Sequence, residues 1–158
     1  MKLSTRGRYA VMAMADIAHY SKGEPVTLAD IADRQDISQA YLEQLFVKLR
    51  RCGLVESARG PGGGYKLAHE AGDIRISDIV LAVDEPLKVT RCEDSSPIGC
   101  LNGSRCLTHD LWEELGRQIH VFLASVSLDD VIHKRVLGRA VPVGPSPAEA
   151  PVEREPAC

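Results

Sequence analysis

Three cysteines and one histidine lie close together in a polar stretch near the middle of the sequence. Cys92, Cys100 and Cys106 fall within fifteen residues, and His109 follows Cys106 by three. Pro97 and two nearby glycines allow the loop to fold back on itself. Thiolates bind soft ions and iron–sulfur clusters, and a neutral imidazole can replace one thiolate. The spacing therefore predicts a metal centre.

The residues alone do not decide between structural zinc and an iron–sulfur cluster. Zinc sites usually present their ligands as short paired knuckles, whereas seven residues separate Cys92 from Cys100. Disulfides are disfavoured, because we expect no signal peptide and the five cysteines are an odd number. Chance clustering of inert thiols is a further, less favoured alternative. We interpret Cys52 and Cys158 as bystanders.

Basic residues are concentrated in the amino-terminal part of the chain. Residues 1–68 carry ten Lys and Arg against seven Asp and Glu, although the net charge of the whole chain is −3. Lys48, Arg50, Arg51 and Arg59 cluster around one predicted helix and the glycine-rich loop after it. This cluster predicts a phosphate-contacting surface. Aromatic residues make up only 4% of the chain, which disfavours a base-stacking platform for single strands.

Capping residues and apolar spacing predict three helices in the first part of the chain. The first begins at Ser4 or Thr5, the second follows Thr27 and continues to about Gln35, and the third follows Ser38. A short helix followed by a longer, more basic one fits a helix-turn-helix. The apolar face of the third helix comprises Tyr41, Leu42, Leu45, Phe46 and Leu49.

The glycine-rich loop "RGPGGG" lies between two strand-like runs, "LVES" and "YKLA". It is not a nucleotide loop, because Gly64 is followed by Tyr65 instead of Lys and the loop opens a strand instead of a helix. We predict a hairpin tip, and Arg59 at its base suits a narrow minor groove. Two helices and a hairpin predict a mostly α fold with a small β-hairpin wing, a winged helix-turn-helix.

A short helix beginning near Ser77, a long amphipathic helix and a final short helix capped by Ser127 are predicted after the wing. The apolar stripe of the long helix exceeds what a small winged domain covers, so we predict a dimerisation helix, with packing on its own domain as the alternative. Residues 139–158 are predicted to be a disordered proline-rich tail. The predicted dimerisation residues are Leu111, Trp112, Leu115, Ile119, Phe122, Leu123 and Val126.

Several motifs together resemble the IscR-type family of iron–sulfur cluster regulators, which are winged-helix repressors. The resemblance rests on "LSTRGRYAVMAMADIA", "YLEQLFVKLRRCGLVESARGPGGGYKLA", "AVDEPLKVTRC" and "CLTHDLWEEL", and it spans nearly the whole chain except the tail. It implies a winged domain over residues 1–84, a cluster loop over 85–110 and a dimerisation region over 108–138. It also implies a 2Fe–2S cluster held by Cys92, Cys100, Cys106 and His109.

The resemblance further implies which residues read DNA. Glu43 and Gln44 would face the major groove and Arg59 the minor groove, while Arg6, Arg8 and Tyr9 would hold phosphates. Gln can bond an adenine edge, and Glu can accept from a cytosine amine. The complete set of predicted DNA contacts is Arg6, Arg8, Tyr9, Ser38, Gln39, Tyr41, Glu43, Gln44, Lys48, Arg59, Gly60 and Pro61.

The implied function is a homodimeric transcription factor that represses cluster assembly genes when loaded with its cluster. Its expected partners are double-stranded operator DNA, a second copy of the chain and the iron–sulfur assembly machinery as cluster donor. Ala40 stands where relatives have a hydroxyl, which bears on the DNA preference. The gap between the first two cysteines is longer than in the family, which bears on the cluster type and the sensed signal. Two alternatives therefore stay open: a nitric-oxide-sensing repressor with a 4Fe–4S cluster, and a zinc-stapled winged-helix protein.

An enzyme is not expected, because the sequence shows no Ser–His–Asp order, nucleophile elbow or paired acidic site. Cys-x-x-Cys spacing, the mark of a redox enzyme, is also missing. No apolar run approaches membrane-spanning length. We therefore expect a cytoplasmic, nucleoid-associated protein without a membrane partner.

Overall fold

The computed structural model describes residues 5–83 and 105–138 of the chain. Most of the predicted cluster loop and the predicted tail lie outside these ranges. The described parts are mostly helical with one antiparallel hairpin, which confirms the predicted fold class. In chain order the elements are α1 (Thr5–Tyr20), α2 (Leu28–Gln35), α3 (Gln39–Arg51), β1 (Val55–Ala58), β2 (Gly64–Leu67), α4 (Ile76–Ala82), α5 (His109–Ser125) and α6 (Leu128–Ile132).

The predicted capping residues begin the helices where the sequence indicated. The hydroxyl of Thr27 accepts from the backbone N–H of Asp30 at 3.1 Å and starts α2. Ser38 does the same for α3, accepting from the N–H of Tyr41 at 3.3 Å. At α6, Ser127 and Asp130 form a reciprocal capping box. These contacts satisfy backbone donors that a helix start otherwise leaves without partners.

The wing is a two-stranded hairpin tied to the segment before α2. β1 and β2 pair in antiparallel register, from Val55 opposite Leu67 to Ala58 opposite Gly64. Val26 and Tyr65 exchange two backbone hydrogen bonds, of 2.9 Å and 2.8 Å. A Cβ at Gly64 would lie 2.4 Å from the carbonyl oxygen of Val26, so only glycine allows this approach. The hairpin is thereby fixed to the helix-turn-helix.

The core lies around α1, which packs against α2, α3, α4, α6 and β2. Small residues such as Ala10 and Ala13 are fully buried on α1 and let the neighbouring helices approach closely. Burial of apolar side chains is the main source of stability for this arrangement. The largest fully buried side chains include Phe46, Met14, Ile17, Ile31, Leu42, Leu49, Ile74, Ile79 and Leu128.

A buried carboxylate joins α1 to α2. Asp16 is 2% exposed and accepts two aligned hydrogen bonds from Arg34, from Nη2 at 2.6 Å and from Nε at 3.0 Å. Gln35 donates a further bond to it at 2.7 Å. The Asp16 carboxylate raises the pKa of Arg34 through this hydrogen bonding, despite an opposing effect of burial. The guanidinium carbon of Arg34 also lies 4.5 Å from the ring centroid of Tyr20.

The segment after α5 returns to the winged domain and pairs with its backbone. Ile76 donates to the carbonyl of Val126 at 3.0 Å, and Leu128 donates to the carbonyl of Ile74 at 2.9 Å. Val126 lies beyond the end of α5 and is 2% exposed, within the core of its own chain. The predicted dimerisation set is therefore corrected by removing Val126, whose side chain is covered before any partner binds.

Candidate DNA-binding surface and metal centre

Helix α3 buries one face and exposes the residues predicted to read bases. Leu42, Leu45, Phe46 and Leu49 recur at helical spacing and are all buried. The opposite face is left for Gln39, Glu43 and Gln44, which are all exposed. Base-reading helices contact DNA through residues near their amino-terminal end, which is where these three lie. The arrangement is suited to insertion of α3 into a major groove.

Two of these exposed residues contact each other across one helical turn. The amide nitrogen of Gln39 donates to Oε1 of Glu43 at 3.2 Å. This contact occupies one carboxylate oxygen and leaves the other available to an incoming donor. Ala40, between them in sequence, adds no polar group at this surface.

The amino-terminal end of α1 lies beside the start of α3. The rings of Tyr9 and Tyr41 meet edge to face with centroids 5.9 Å apart. Arg8 is exposed at the same end of α1 as Tyr9, whose ring contact places that end beside α3. Arg6 differs, because its Nη1 lies 3.5 Å from the carbonyl oxygen of Val83 at the end of α4. That contact directs Arg6 towards the end of α4.

The remaining predicted DNA contacts lie at the end of α3 and at the wing tip. Lys48 is half-buried in the last turn of α3, where a basic side chain also complements the helix dipole. Arg59, Gly60 and Pro61 are exposed between the two strands. Gly60 has φ +97°, a backbone conformation that glycine adopts without strain. The tip therefore presents the Arg59 side chain on a tightly turned backbone.

Of the four predicted metal ligands, the structure describes Cys106 and His109, which lie immediately before and at the start of α5. The backbone N–H of His109 donates to the carbonyl of Cys106 at 3.1 Å, so the chain makes one turn between them and then enters α5. The Cys106 Sγ lies 3.6 Å from Oγ1 of Thr108. Cys92 and Cys100 lie outside the described residues. A thiol and an imidazole one turn apart are the donor types that bind zinc or an iron–sulfur cluster, so the described half of the set fits such a group.

His109 contacts a carboxylate that sequence reasoning missed. The histidine is 6% exposed, and its Nε2 lies 3.2 Å from Oε2 of Glu113. Asp110 joins these two residues in a group whose ligand atoms all lie within 4.8 Å of one another. The signal available in the sequence was the spacing, because residues four apart share a helix face.

The apolar stripe of α5 is largely open to solvent. Leu111, Trp112 and Phe122 are 62%, 43% and 38% exposed, and Leu115 and Ile119 between them are half-buried. Leu123 instead packs partly against the core of its own chain. Such a stripe on a helix of 17 residues is typical of a surface that another chain covers.

The polar face of α5 is held by a local network. Arg117 donates two hydrogen bonds to Glu114, at 2.6 Å and 2.7 Å, and Gln118 donates a third at 2.6 Å. These bonds, those from Arg117 first, lower the pKa of Glu114 to about 2. The apolar stripe and this polar network therefore occupy different sides of α5. None of the helices in the described ranges is long and apolar enough to cross a membrane.

Similarity to known proteins agrees with this geometry. The chain is 52% identical over 132 residues to the HTH-type transcriptional regulator IscR of Xenorhabdus nematophila, covering 84% of this chain and 79% of that protein. The IscR of Photorhabdus laumondii is 50% identical over 135 residues, covering 85% of this chain and 81% of the relative. These relatives are regulators and not enzymes, which confirms the prediction that this chain is not an enzyme.

Solved structures show the same fold. The structure of T. potens IscR matches with a TM-score of 0.70 and 36% identity, covering 90% of this chain and 94% of that one. CymR, the global cysteine regulator of B. subtilis, matches with a TM-score of 0.70 and 33% identity over 85% of this chain and 98% of its own. The Rrf2 family, described as iron-dependent transcriptional regulators, matches residues 3–134. The chain belongs to the Rrf2 family and is an IscR-type transcriptional regulator.

Proposed function

We propose that this regulator is a homodimer that senses iron–sulfur clusters and represses cluster assembly genes while it carries its own cluster. Loss of the cluster, through demand or oxidants, relieves the repression. One observation carries the proposal: Cys106 and His109 lie one turn apart at the start of a helix whose apolar stripe is exposed. The names of the IscR relatives support it.

The proposed ligands are Cys92, Cys100, Cys106 and His109, and the proposed group is a 2Fe–2S cluster. When bound, such a cluster supplies a redox-active centre that oxidants can destroy. The imidazole is the ligand that gives the site its lability, because a histidine can take up a proton near neutral pH whereas a bound thiolate resists this more strongly. A labile ligand suits a sensor that must release its group.

The proposed DNA contacts divide into those that read bases and those that position the protein. Glu43 and Gln44 face the major groove, where a carboxylate accepts from cytosine and repels sites that lack a donor. Arg59 enters the minor groove next to the wing. The remaining proposed contacts, mostly to phosphates, are made by Arg6, Arg8, Tyr9, Ser38, Gln39, Tyr41, Lys48, Gly60 and Pro61.

The proposed coupling between cluster and DNA passes through α5. Its first residue is His109, it packs against α4, and the segment after it pairs with residues 71–76, which follow the wing. Ordering the loop around a cluster therefore acts on a helix that packs against α4 and is followed by a segment paired with the winged domain. In a dimer joined along α5, this sets the spacing and stiffness of the two DNA-reading heads.

The proposed partners follow from these surfaces. A second copy covers the stripe formed by Leu111, Trp112, Leu115, Ile119 and Phe122, with Leu123 at its edge. Double-stranded operator DNA binds α3 and the wing, and the iron–sulfur assembly machinery supplies the cluster. A protein that regulates transcription works where the DNA is, so we place it in the cytoplasm, at the nucleoid.

The direct test is the metal content of the full chain purified without oxygen. We expect about two irons and two sulfides per chain and a red-brown visible spectrum, as a 2Fe–2S centre gives. Cys92→Ala and His109→Ala should lose that spectrum, whereas Cys52→Ala, at an exposed cysteine outside the ligand set, should keep it. Four irons per cluster would favour a nitric-oxide sensor of the same fold. One zinc per chain without sulfide would indicate that the loop holds a structural zinc ion and has no sensing role.

A further inference from the structure

We propose that Glu113 is the outer carboxylate partner of His109: it holds the imidazole at Nε2 and thereby presents Nδ1 as the nitrogen that ligates the metal centre. The inference rests on the proposed function, in which His109 is a ligand. It adds a positioning residue that acts through His109.

The geometry at the start of α5 supports this role. Oε2 of Glu113 lies 3.2 Å from Nε2 of His109, four residues earlier on the same helix. The histidine side chain is 7% exposed and that of Glu113 is 56% exposed. The contact has the distance of an ion pair and is not an aligned hydrogen bond. The Glu113 carboxylate therefore lies within contact distance of the imidazole, on the exposed side of a buried ring.

The chemistry of imidazole links this contact to ligation. A neutral imidazole has one nitrogen that carries a proton and one that offers a lone pair, and the partner of the first selects the second. A carboxylate on the protonated nitrogen fixes the ring orientation and strengthens the other nitrogen as a ligand. Ligation through Nδ1 leaves the Glu113 contact intact, whereas ligation through Nε2 has to break it. Ligation through Nδ1 and ligation through Nε2 therefore predict opposite effects on cluster retention when the Glu113 carboxylate is removed.

Cluster retention distinguishes the two choices. The cluster-loaded full chain is mixed with an iron chelator without oxygen, and the decay of its visible absorbance is followed. We expect Glu113→Ala to lose the cluster about 10-fold faster or more, as loss of such a partner usually weakens metal binding by that factor. Glu113→Gln should fall between, because its amide oxygen still accepts from Nε2–H. Unchanged or slower loss in Glu113→Ala would overturn the proposal.

A matched control separates positioning from helix stability. Glu114→Gln removes the neighbouring carboxylate, which binds Arg117 and Gln118 and does not contact the histidine in the described contacts. This variant should weaken the hydrogen bonds to Arg117 and Gln118 on the polar face of α5 and leave the rate of cluster loss unchanged. If both variants accelerate the loss equally, the effect belongs to the helix and the proposal fails.

A second readout needs no cluster. Nitrogen NMR of the cluster-free full chain reports which nitrogen of His109 carries the proton. We expect mainly Nε2–H in the parent chain and a smaller proportion in Glu113→Ala, while an unchanged proportion would refute the positioning role. If the parent chain binds no cluster at all, the proposed function fails, and this measurement still decides whether Glu113 holds His109.

Discussion

His109 is both a proposed ligand and the first residue of α5, so its side chain connects the metal chemistry to the helix that follows. Its burial and its contact with Glu113 restrict the imidazole before any metal binds. Cys106 is held one turn away by the backbone. Two of the proposed donors are thus arranged by local structure, and the proposed dimer surface begins directly after them with Leu111.

The Asp16 carboxylate joins α1 to α2 through its hydrogen bonds with Arg34 and Gln35. Asp16→Asn removes its charge and replaces one accepting oxygen with an NH2 group that faces donors. We expect the free energy of unfolding to fall by about 1–3 kcal/mol, because charged hydrogen bonds in a buried position are lost. Urea unfolding followed by circular dichroism measures this, with Asp33→Asn, at an exposed position of α2, as the control. Equal stability of the two variants would contradict the role of Asp16.

Glu43 is expected to act on DNA selectivity more than on affinity. In Glu43→Ala, duplexes that offer no donor at the contacted base pair are no longer repelled, so discrimination at that position should fall by about 10-fold or more. Fluorescence anisotropy with duplexes that differ at single base pairs measures the change, and Glu70→Ala, an exposed change beyond the wing, is the control. A uniform loss of affinity across all duplexes would contradict a role in base selectivity. It would indicate that Glu43 affects binding in a way that does not depend on the DNA sequence.

At the scale of elements, the wing depends on the close approach of β2 to the segment before α2. Gly64→Ala places a methyl group against the carbonyl of Val26, and the backbone has to move. We expect a loss of about 1–3 kcal/mol in the free energy of unfolding, as overpacking usually costs. Gly72→Ala is the matched control, because a Cβ at Gly72 meets nothing within 4 Å and its φ is not in the left-handed region. If the two variants unfold alike, the wing is not anchored at Gly64.

Helices and turns were predictable from the sequence where residues within the same segment specify them. Thr27, Ser38 and Ser127 cap helices within their own segment, and the glycine-rich loop excluded a nucleotide site through its own residues. Contacts between distant segments were not predictable in this way. Asp16 is an example, because its partner Arg34 lies on the next helix.

The end of α5 shows the same limit. Val126 continues the apolar spacing of the stripe, so periodicity alone assigned it to the dimer surface. The helix ends at Ser125, and the extended residue after it turns inward to pair with Ile76. Periodicity describes a face only as long as the helix continues. The contact between Glu113 and His109 was likewise missed, although their spacing allowed it.

At the scale of the whole molecule, the proposed regulator consists of two copies joined along α5. Phe122→Glu places a charge in the proposed interface, and we expect the dimer to dissociate because an unpaired buried charge is costly. Light scattering after size-exclusion chromatography should give a molar mass for the variant that is half that of the parent dimer. Val121→Glu is the control, since Val121 is also exposed on α5 and lies one turn beyond Arg117 on the polar face. A parent chain that is already monomeric, or a Phe122→Glu dimer, would contradict the interface.

Control of DNA binding by the cluster is tested by comparing the loaded and the cluster-free chain on one duplex. The duplex is selected from a random-sequence pool by the loaded protein, and its dissociation constant is measured for both forms at the same salt concentration. We expect the cluster-free chain to bind at least about 10-fold more weakly, within the usual range of coupling between two sites. Equal affinity of the two forms would contradict the account and leave a DNA-binding protein whose metal centre has no part in regulation.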